Sequence, residues 1–328
     1  MKKYRYILDL GSSNISIYST GLLLRQPNVA VVRRGNGIEL IAAGNDALPL
    51  IHALPEHCSV VYPVEEGAVV HGEVMSLVLH DFLSRIVPKT VFKAVEIYVL
   101  IPSGLSITER ENIENAVARA GYKDVTLIES ILALLPLFNG PTGVVIFGGG
   151  TTEIGVVNDS GILSACTINL GGKTIDEKIK EKILETYNLL ISLTMAEKIK
   201  TSIGSLFEND TSTMEIFGKD ILDGRMKAIE ISAESIRVPI QNVYKKLAEI
   251  IESVLTTVSS KTMVEIATNG IYIAGAGAEI GGLTNFLAKY LKLPIKKDDD
   301  PEISALRSAS IVVNDDSGKY SSILSNKR

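Results

Sequence analysis

Apolar residues in this chain gather into short runs broken by glycines and small polar residues. The plainest case is Val144-Val145-Ile146-Phe147-Gly148-Gly149-Gly150-Thr151-Thr152-Glu153-Ile154-Gly155-Val156-Val157, two apolar runs about a Gly-Gly-Gly-Thr-Thr insert. Runs of this length around a glycine break predict two strands joined by a tight turn. Main-chain N–H groups in such a turn can approach an anion, and threonine hydroxyls can hold phosphate oxygens. An ordinary glycine-rich hairpin has the same pattern.

The pattern occurs twice. Tyr6-Ile7-Leu8-Asp9-Leu10-Gly11-Ser12-Ser13-Asn14-Ile15-Ser16-Ile17-Tyr18 is again strand, small polar turn, strand. Overlaid, Gly11-Ser12-Ser13-Asn14 falls on Gly148-Gly149-Gly150-Thr151, and Asp9 falls on Ile146. An internal repeat of this kind predicts two related halves facing one ligand.

The rest of the chain alternates strand and helix patterns. Strands are predicted on either side of Pro27 in 21–32 and at 38–43, with a loop or small subdomain at 52–63. Helical spacing marks 73–86, and Ser106 with Glu109 forms a capping box for a helix over 106–120. Strands at 95–102 and 125–128 and an apolar helix over 130–138 complete a first half.

Asn139-Gly140-Pro141 is the expected domain boundary. Beyond it the sheet continues over 161–170, and Gly171-Gly172 opens a helix over 173–187. Thr194 is the expected cap of a helix whose polar face carries Glu197 and Lys200. Residues 209–234 read as polar and irregular, and 238–259 as a long amphipathic helix. A strand then runs into the turn Gly275-Ala276-Gly277-Ala278, followed by helices over 283–291 and 301–312 and a polar tail over 317–328.

Composition narrows the class. With 46% hydrophobic and 22% charged residues, 328 residues suffice for two globular domains. A net charge of −5 gives a nucleic-acid partner no electrostatic support. Cys58 and Cys166 lie far apart, which fits a reducing cytoplasm, and His57 with Cys58 has no second cluster to complete a metal site. Only Tyr6, Ile7 and Leu8 separate Lys2, Lys3 and Arg5 from Asp9, too short a run for a signal peptide. No apolar run reaches membrane-spanning length, so the expectation is a soluble protein or one bound to a membrane from one side.

In order, these motifs resemble the actin–Hsp70 fold, and within it the MreB family of bacterial actin-like cytoskeletal proteins, of which this is a divergent member. Asp9-Leu10-Gly11-Ser12-Ser13-Asn14 is similar to the family's first phosphate loop, and Pro63-Val64-Glu65-Glu66-Gly67-Ala68-Val69 to its Pro-Leu-x-Asp-Gly-Val segment. Gly148-Gly149-Gly150-Thr151-Thr152-Glu153 matches the second phosphate loop, and Gly171-Gly172-Lys173-Thr174-Ile175-Asp176-Glu177 its downstream turn. Ala196-Glu197-Lys198-Ile199-Lys200 matches the nucleoside segment, and Gly275-Ala276-Gly277-Ala278 stands for the adenosine turn.

The resemblance implies an α/β, actin-like (ribonuclease H-like) fold of two related domains with a nucleotide cleft between them. Domain I would span 1–140 with a closing helix in 300–328 and a small subdomain near 33–72. Domain II would span 141–299 with a small subdomain near 174–240. It implies ATP with Mg2+, Asp9 near the metal, and phosphates held by Gly11, Ser12, Ser13 and Asn14 and by Gly148, Gly149, Gly150 and Thr151. Glu197 would contact the ribose, Lys200 the base region, and Gly275, Ala276, Gly277 and Ala278 the adenosine. It further implies self-association into filaments, copolymers with sibling actin-like proteins, and contact of Val91 and Phe92 with the inner face of the cytoplasmic membrane.

Two departures bear on catalysis. Family members carry an aspartate where this chain has Ile146, and a water-activating glutamate before a proline where it has Ser130, with Glu129 one residue earlier. Glu129 and Ser130 are therefore the candidate catalytic positions. Removing general-base help slows a reaction by roughly 10²–10⁴. The expectation is a cytoskeletal protein governing cell shape that binds ATP and hydrolyses it weakly. The alternative is a small-molecule kinase or other non-polymerising ATP-binding protein of the same superfold.

Overall fold

The computed structural model describes residues 4–51, 53–88 and 95–324. Val91 and Phe92 lie outside the described residues, as does His52. The chain divides into two compact units, Met1–Phe138 with Asp159–Ile162 and Ile303–Arg328, and Asn139–Asn158 with Leu163–Glu302.

In the first unit, β1 (Tyr4–Leu10), β2 (Asn14–Tyr18) and β3 (Leu22–Pro27) form an antiparallel meander. Next come β4 (Ala30–Arg34), β5 (Ile38–Ala43), the short helix α1 (Leu48–Ile51) and β6 (Cys58–Val61), whose strands make a separate three-stranded sheet. A two-residue hairpin, β7 (Val64–Glu65) and β8 (Ala68–Val69), precedes α2 (Gly72–Ile86). Then β9 (Val95–Ile101), α3 (Ile107–Arg119) and β10 (Val125–Glu129) add two parallel strands, giving the sheet order β10-β9-β1-β2-β3.

Alternation sorts β1 onto two cores. Tyr6, Leu8 and Leu10 face α2 and α3, among Val78, Leu79, Phe82 and Val117. Ile7 faces the other side with Tyr98, Leu100 and Ile128. That side is covered by α4 (Ser130–Ala133) and by two helices from the far end of the chain.

The second unit repeats the plan. β11 (Thr142–Phe147) and β12 (Thr152–Asn158) form the glycine hairpin and β13 (Gly161–Ile168) extends it. Helix α5 (Gly172–Tyr187), strand β14 (Leu189–Leu190) and helix α6 (Leu193–Ile203) follow. The hairpin β15 (Thr213–Asp220) and β16 (Met226–Ser232) pairs with β14 in a small sheet. Helices α7 (Ala233–Leu255) and α8 (Ser260–Asn269) lead to β17 (Ile271–Ala274), α9 (Leu283–Leu291) and β18 (Ile295–Lys296). The large sheet runs β13-β12-β11-β17-β18, the same arrangement of an antiparallel meander and two parallel strands. The closing helices α10 (Ser304–Val313) and α11 (Ser321–Leu324) belong to the first unit.

Four local expectations change. Residues 209–234 are not irregular but hold the β15–β16 hairpin. Only alternate positions such as Ile216 and Gly218 are buried in β15, so its apolar signal is thin. The helix expected over 130–138 is one α turn and then a 3₁₀ turn at Leu135–Leu137, because Pro136 has no N–H to continue it. Ser192, not Thr194, caps α6, its hydroxyl accepting from Met195 N at 3.1 Å. Ser232 caps α7, which therefore starts before Pro239 and runs through it. Within the polar tail, Ile323 of α11 is buried against the first unit, and 325–328 lie outside the described residues.

Candidate functional site

In the first unit, the turn between β1 and β2 consists of Gly11, Ser12, Ser13 and Asn14, flanked by the cross-strand pair Leu10 and Ile15. A Cβ on Gly11 would lie 2.9 Å from the Asn14 carbonyl oxygen, so the turn closes only with glycine there. Asn28, just past the end of β3, donates from Nδ2 to the Gly11 carbonyl and from its backbone N–H to the Ser13 carbonyl, both at 2.8 Å. The Ser12 hydroxyl accepts from Gly67 N at 3.3 Å. Gly67 follows Glu66 in the β7–β8 turn, where both residues adopt positive φ. The segment 63–69 is thereby brought to the first loop.

Asp9 precedes the turn by two residues and pairs across to Ser16, which pairs in turn with Arg25. Burial pushes its carboxyl up to about 6, with the Arg25 guanidinium pulling the other way. One carboxylate so placed fits Mg2+, which binds through one or two carboxylates together with substrate phosphates and water. At the end of β10, Arg110 donates to Glu129 at 2.6 Å and to the Leu105 carbonyl at 3.3 Å. Ser130 is buried and donates to the Ile101 carbonyl at 3.0 Å. Both candidate catalytic positions are thus committed to partners within the chain.

In the second unit, Gly148, Gly149, Gly150 and Thr151 make the turn between Phe147 and Thr152, which pair across strands. A Cβ on Gly148 would lie 2.8 Å from the Thr151 carbonyl oxygen, the position equivalent to Gly11. Ile146 pairs with Glu153 as Asp9 pairs with Ser16, so the overlay read from sequence holds residue for residue. The α5 N-terminus packs behind this turn, with Gly172 N donating to the Gly148 carbonyl at 3.0 Å and Lys173 N to the Gly149 carbonyl at 2.8 Å. Two first-turn donors of the helix are satisfied in this way. Gly171 passes so close that a Cβ would meet the Gly149 and Gly148 carbonyl oxygens at 2.7 and 2.8 Å. Among the described residues, the Gly149 and Gly150 N–H groups have no partner within the chain.

Lys200, on α6, reaches the same place. Its ammonium donates to the Gly172 carbonyl and to Asp176 Oδ2, both at 3.0 Å, and lies 2.8 Å from Asp176 Oδ1. Burial raises the Asp176 carboxyl to about 6, against the Lys200 cation. Glu197 is exposed one turn earlier on α6. The Gly275-Ala276-Gly277-Ala278 turn follows β17, the parallel neighbour of β11, and so lies beside the triglycine turn at the carboxyl ends of the strands, where ligands of such sheets bind. Gly275 has φ 84° and stacks on the Phe147 backbone. Tyr244 donates to the Gly277 carbonyl at 2.7 Å, and Lys297 to the Ala278 carbonyl at 3.1 Å. Asp176 lies in the Gly171–Glu177 segment already marked in the sequence, whereas Tyr244 and Lys297 carry no local signal as supports of these turns. Asn28 carries one, as a turn-forming residue directly after the strand-breaking Pro27.

A family model described as MreB/Mbl protein matches residues 4–319. The cell shape-determining protein Mbl of Bacillus cereus is 28% identical over 304 residues, covering 90% of this chain and 91% of the relative. The cell shape-determining protein MreB of Escherichia coli is 25% identical over 320 residues, covering 92% of each. Among solved structures, MreB 5 of Spiroplasma citri bound to AMPPNP superposes with a TM-score of 0.86 at 25% identity, over 95% of this chain and 96% of that one. The MamK double helical filament superposes with a TM-score of 0.79 over 95% and 99% of the two chains, and its 18% identity bears on the fold alone. The fold is therefore actin-like. With a match that runs through both glycine hairpins and the closing helix α10, the chain belongs to the MreB/Mbl family.

Proposed function

We propose that this chain binds ATP and assembles with copies of itself into filaments that determine cell shape. The observation that carries the reading is the pair of equivalent turns, Gly11–Asn14 and Gly148–Thr151, each with carbonyls tied back by its own unit. A turn held in that way offers its N–H groups to phosphate oxygens. The Spiroplasma relative was solved with AMPPNP and also with ADP, which supports a nucleotide as the ligand.

In the proposed complex the phosphate contacts are Gly11, Ser12, Ser13 and Asn14 of the first turn and Gly148, Gly149, Gly150 and Thr151 of the second. Asp9 would hold Mg2+, which supplies charge neutralisation at the phosphates. Gly275, Ala276, Gly277 and Ala278 would receive the adenosine. Lys200 acts by holding the start of α5, and Glu197 is left to reach the ribose. Hydrolysis is weak in this reading. Ile146 brings no carboxylate to the metal, Ser130 is bonded to a carbonyl, and Glu129 is bonded to Arg110.

Filaments in this family's manner would join head to tail, a heterologous contact that leaves open ends. The filaments, with or without sibling actin-like proteins, would lie at the inner face of the cytoplasmic membrane. Among the described residues no helix is long and apolar enough to cross one. Val91 and Phe92 are proposed as the membrane contact, and many copies along a filament would bind by avidity.

Four measurements test this reading. A fluorescent ATP analogue should bind stoichiometrically, and phosphate release should be slow. Sedimentation at micromolar protein should pellet filaments, and liposomes should co-sediment the wild type but not F92S filaments. A protein that binds ATP yet stays monomeric at every salt and nucleotide would favour the non-polymerising kinase reading instead.

A further inference from the structure

A loop that receives an anion must turn its carbonyl oxygens away, because a carbonyl facing a phosphate repels it. In the second unit this is done by the N-terminus of α5, through Gly172 N on Gly148 O and Lys173 N on Gly149 O. The equivalent turn of the first unit is held differently. Asn28 alone holds two of its carbonyls, Gly11 O through the side-chain amide and Ser13 O through the backbone, each at 2.8 Å.

Gly11 and Gly148 occupy the same position of the turn, so the Asn28 side chain does for Gly11 what the Gly172 N–H does for Gly148. Asn28 is only 2% exposed. Its Oδ1 is buried without a hydrogen-bond partner among the described residues. An unpartnered buried amide oxygen is destabilising, so the fold tolerates a cost at Asn28 while keeping the donor at Gly11.

We propose that Asn28 is a positioning residue for phosphate recognition, fixing the Gly11 carbonyl behind the loop so that the following N–H groups and hydroxyls face the phosphates of a nucleoside di- or triphosphate. The role rests on the ATP-binding reading above. It differs from a general packing role in one respect: its effect is felt by ligands that carry phosphate and not by adenosine.

The test compares wild type, N28A, N28S and N28D in full-length protein, with affinities for ATP, ADP and adenosine measured by competition against a fluorescent ATP analogue. N28A should lose about tenfold for ATP and ADP, as for one lost hydrogen bond, and nothing for adenosine. N28S, which keeps a small donor, should lie between wild type and N28A. N28D should lose most, since a carboxylate has no donor for Gly11 O and repels phosphate. In the nucleotide-free protein, amide hydrogen exchange at Gly11–Asn14 should accelerate in N28A while Gly148–Thr151 keeps its wild-type rate. Unchanged ATP affinity in N28A and N28D, or an equal loss for adenosine, overturns the role of Asn28 and leaves the ATP reading standing. A wild type that binds no ATP overturns that reading and this role with it. Should N28A fail to fold, the N28S and N28D pair decides by the same criterion.

Discussion

Lys200 and Asp176, 24 residues apart in sequence, form a largely enclosed ion pair, with side chains 13% and 8% exposed. The same ammonium binds the Gly172 carbonyl, whose own N–H holds the Gly148 carbonyl. The pair therefore pins α5 to the triglycine turn.

Removing the cation leaves a buried carboxylate uncompensated, which costs about 3 kcal/mol or more. The folded Asp176 carboxyl already titrates at about 6, above its ordinary 3.8. The folded state thus keeps a proton that the unfolded chain has lost, and Asp176's contribution to stability falls as pH rises from about 4 to 6. K200M should raise that pKa further. Urea unfolding should show the K200M penalty largest at pH 7.5 and reduced at pH 5. A pH-independent penalty would argue that Lys200 acts through packing alone.

Asp9 obeys the same sign. Its carboxyl is raised to about 6 by burial, so ionisation above that pH is a cost to the nucleotide-free fold. D9N should stabilise the nucleotide-free protein above pH 6, by at most about 3 kcal/mol, and have little effect near pH 4. If Asp9 holds the metal, Mg2+ with ATP should raise the wild-type melting temperature more than that of D9N.

At the end of β10, Ser130 and Glu129 are structural in their present contacts. S130A should cost about 1 kcal/mol for the lost bond to Ile101 O, without changing ATP affinity. On the proposed reading, the double change I146D with S130E should raise phosphate release well above wild type, as a carboxylate for the metal and a general base are supplied together. Wild-type turnover already equal to that of ordinary family members would refute the idea that these positions silence the site.

Gly277 faces the Phe147 ring, and a Cβ there would fall within the ring's van der Waals volume. Phe147 is fully buried against Tyr244, with ring centroids 5.0 Å apart, so it has little room to yield. G277A should destabilise by about 1–3 kcal/mol through overpacking, and Y244F by about 1 kcal/mol through the lost bond to Gly277 O. Because the three residues touch, thermal unfolding of the double variant should depart from additivity.

Much of this protein was legible without coordinates, wherever the determining chemistry is local. The two turns are four residues each, flanked by strands whose pattern sets the register, so Gly11 could be laid on Gly148 and Asp9 on Ile146 by reading alone. The capping box joins Ser106 and Glu109, three residues apart, and forms as expected.

What only the tertiary structure decided involves partners distant in sequence or elements with weak patterns. The β15–β16 hairpin shows one thinly apolar face, and β14, which it joins, is two residues long. The sequence sets Lys200 on a polar helix face, and only the packing of α5 supplies Asp176 and the Gly172 carbonyl as its partners. Glu129 meets Arg110, 19 residues away, only because α3 packs beside β10. Asn28 lies 17 residues from Gly11 and reaches it only because β3 returns alongside β2. Turn geometry and strand alternation are written in consecutive residues, whereas the partners of a buried amide, ammonium or carboxylate are chosen by chain crossings that no local pattern records.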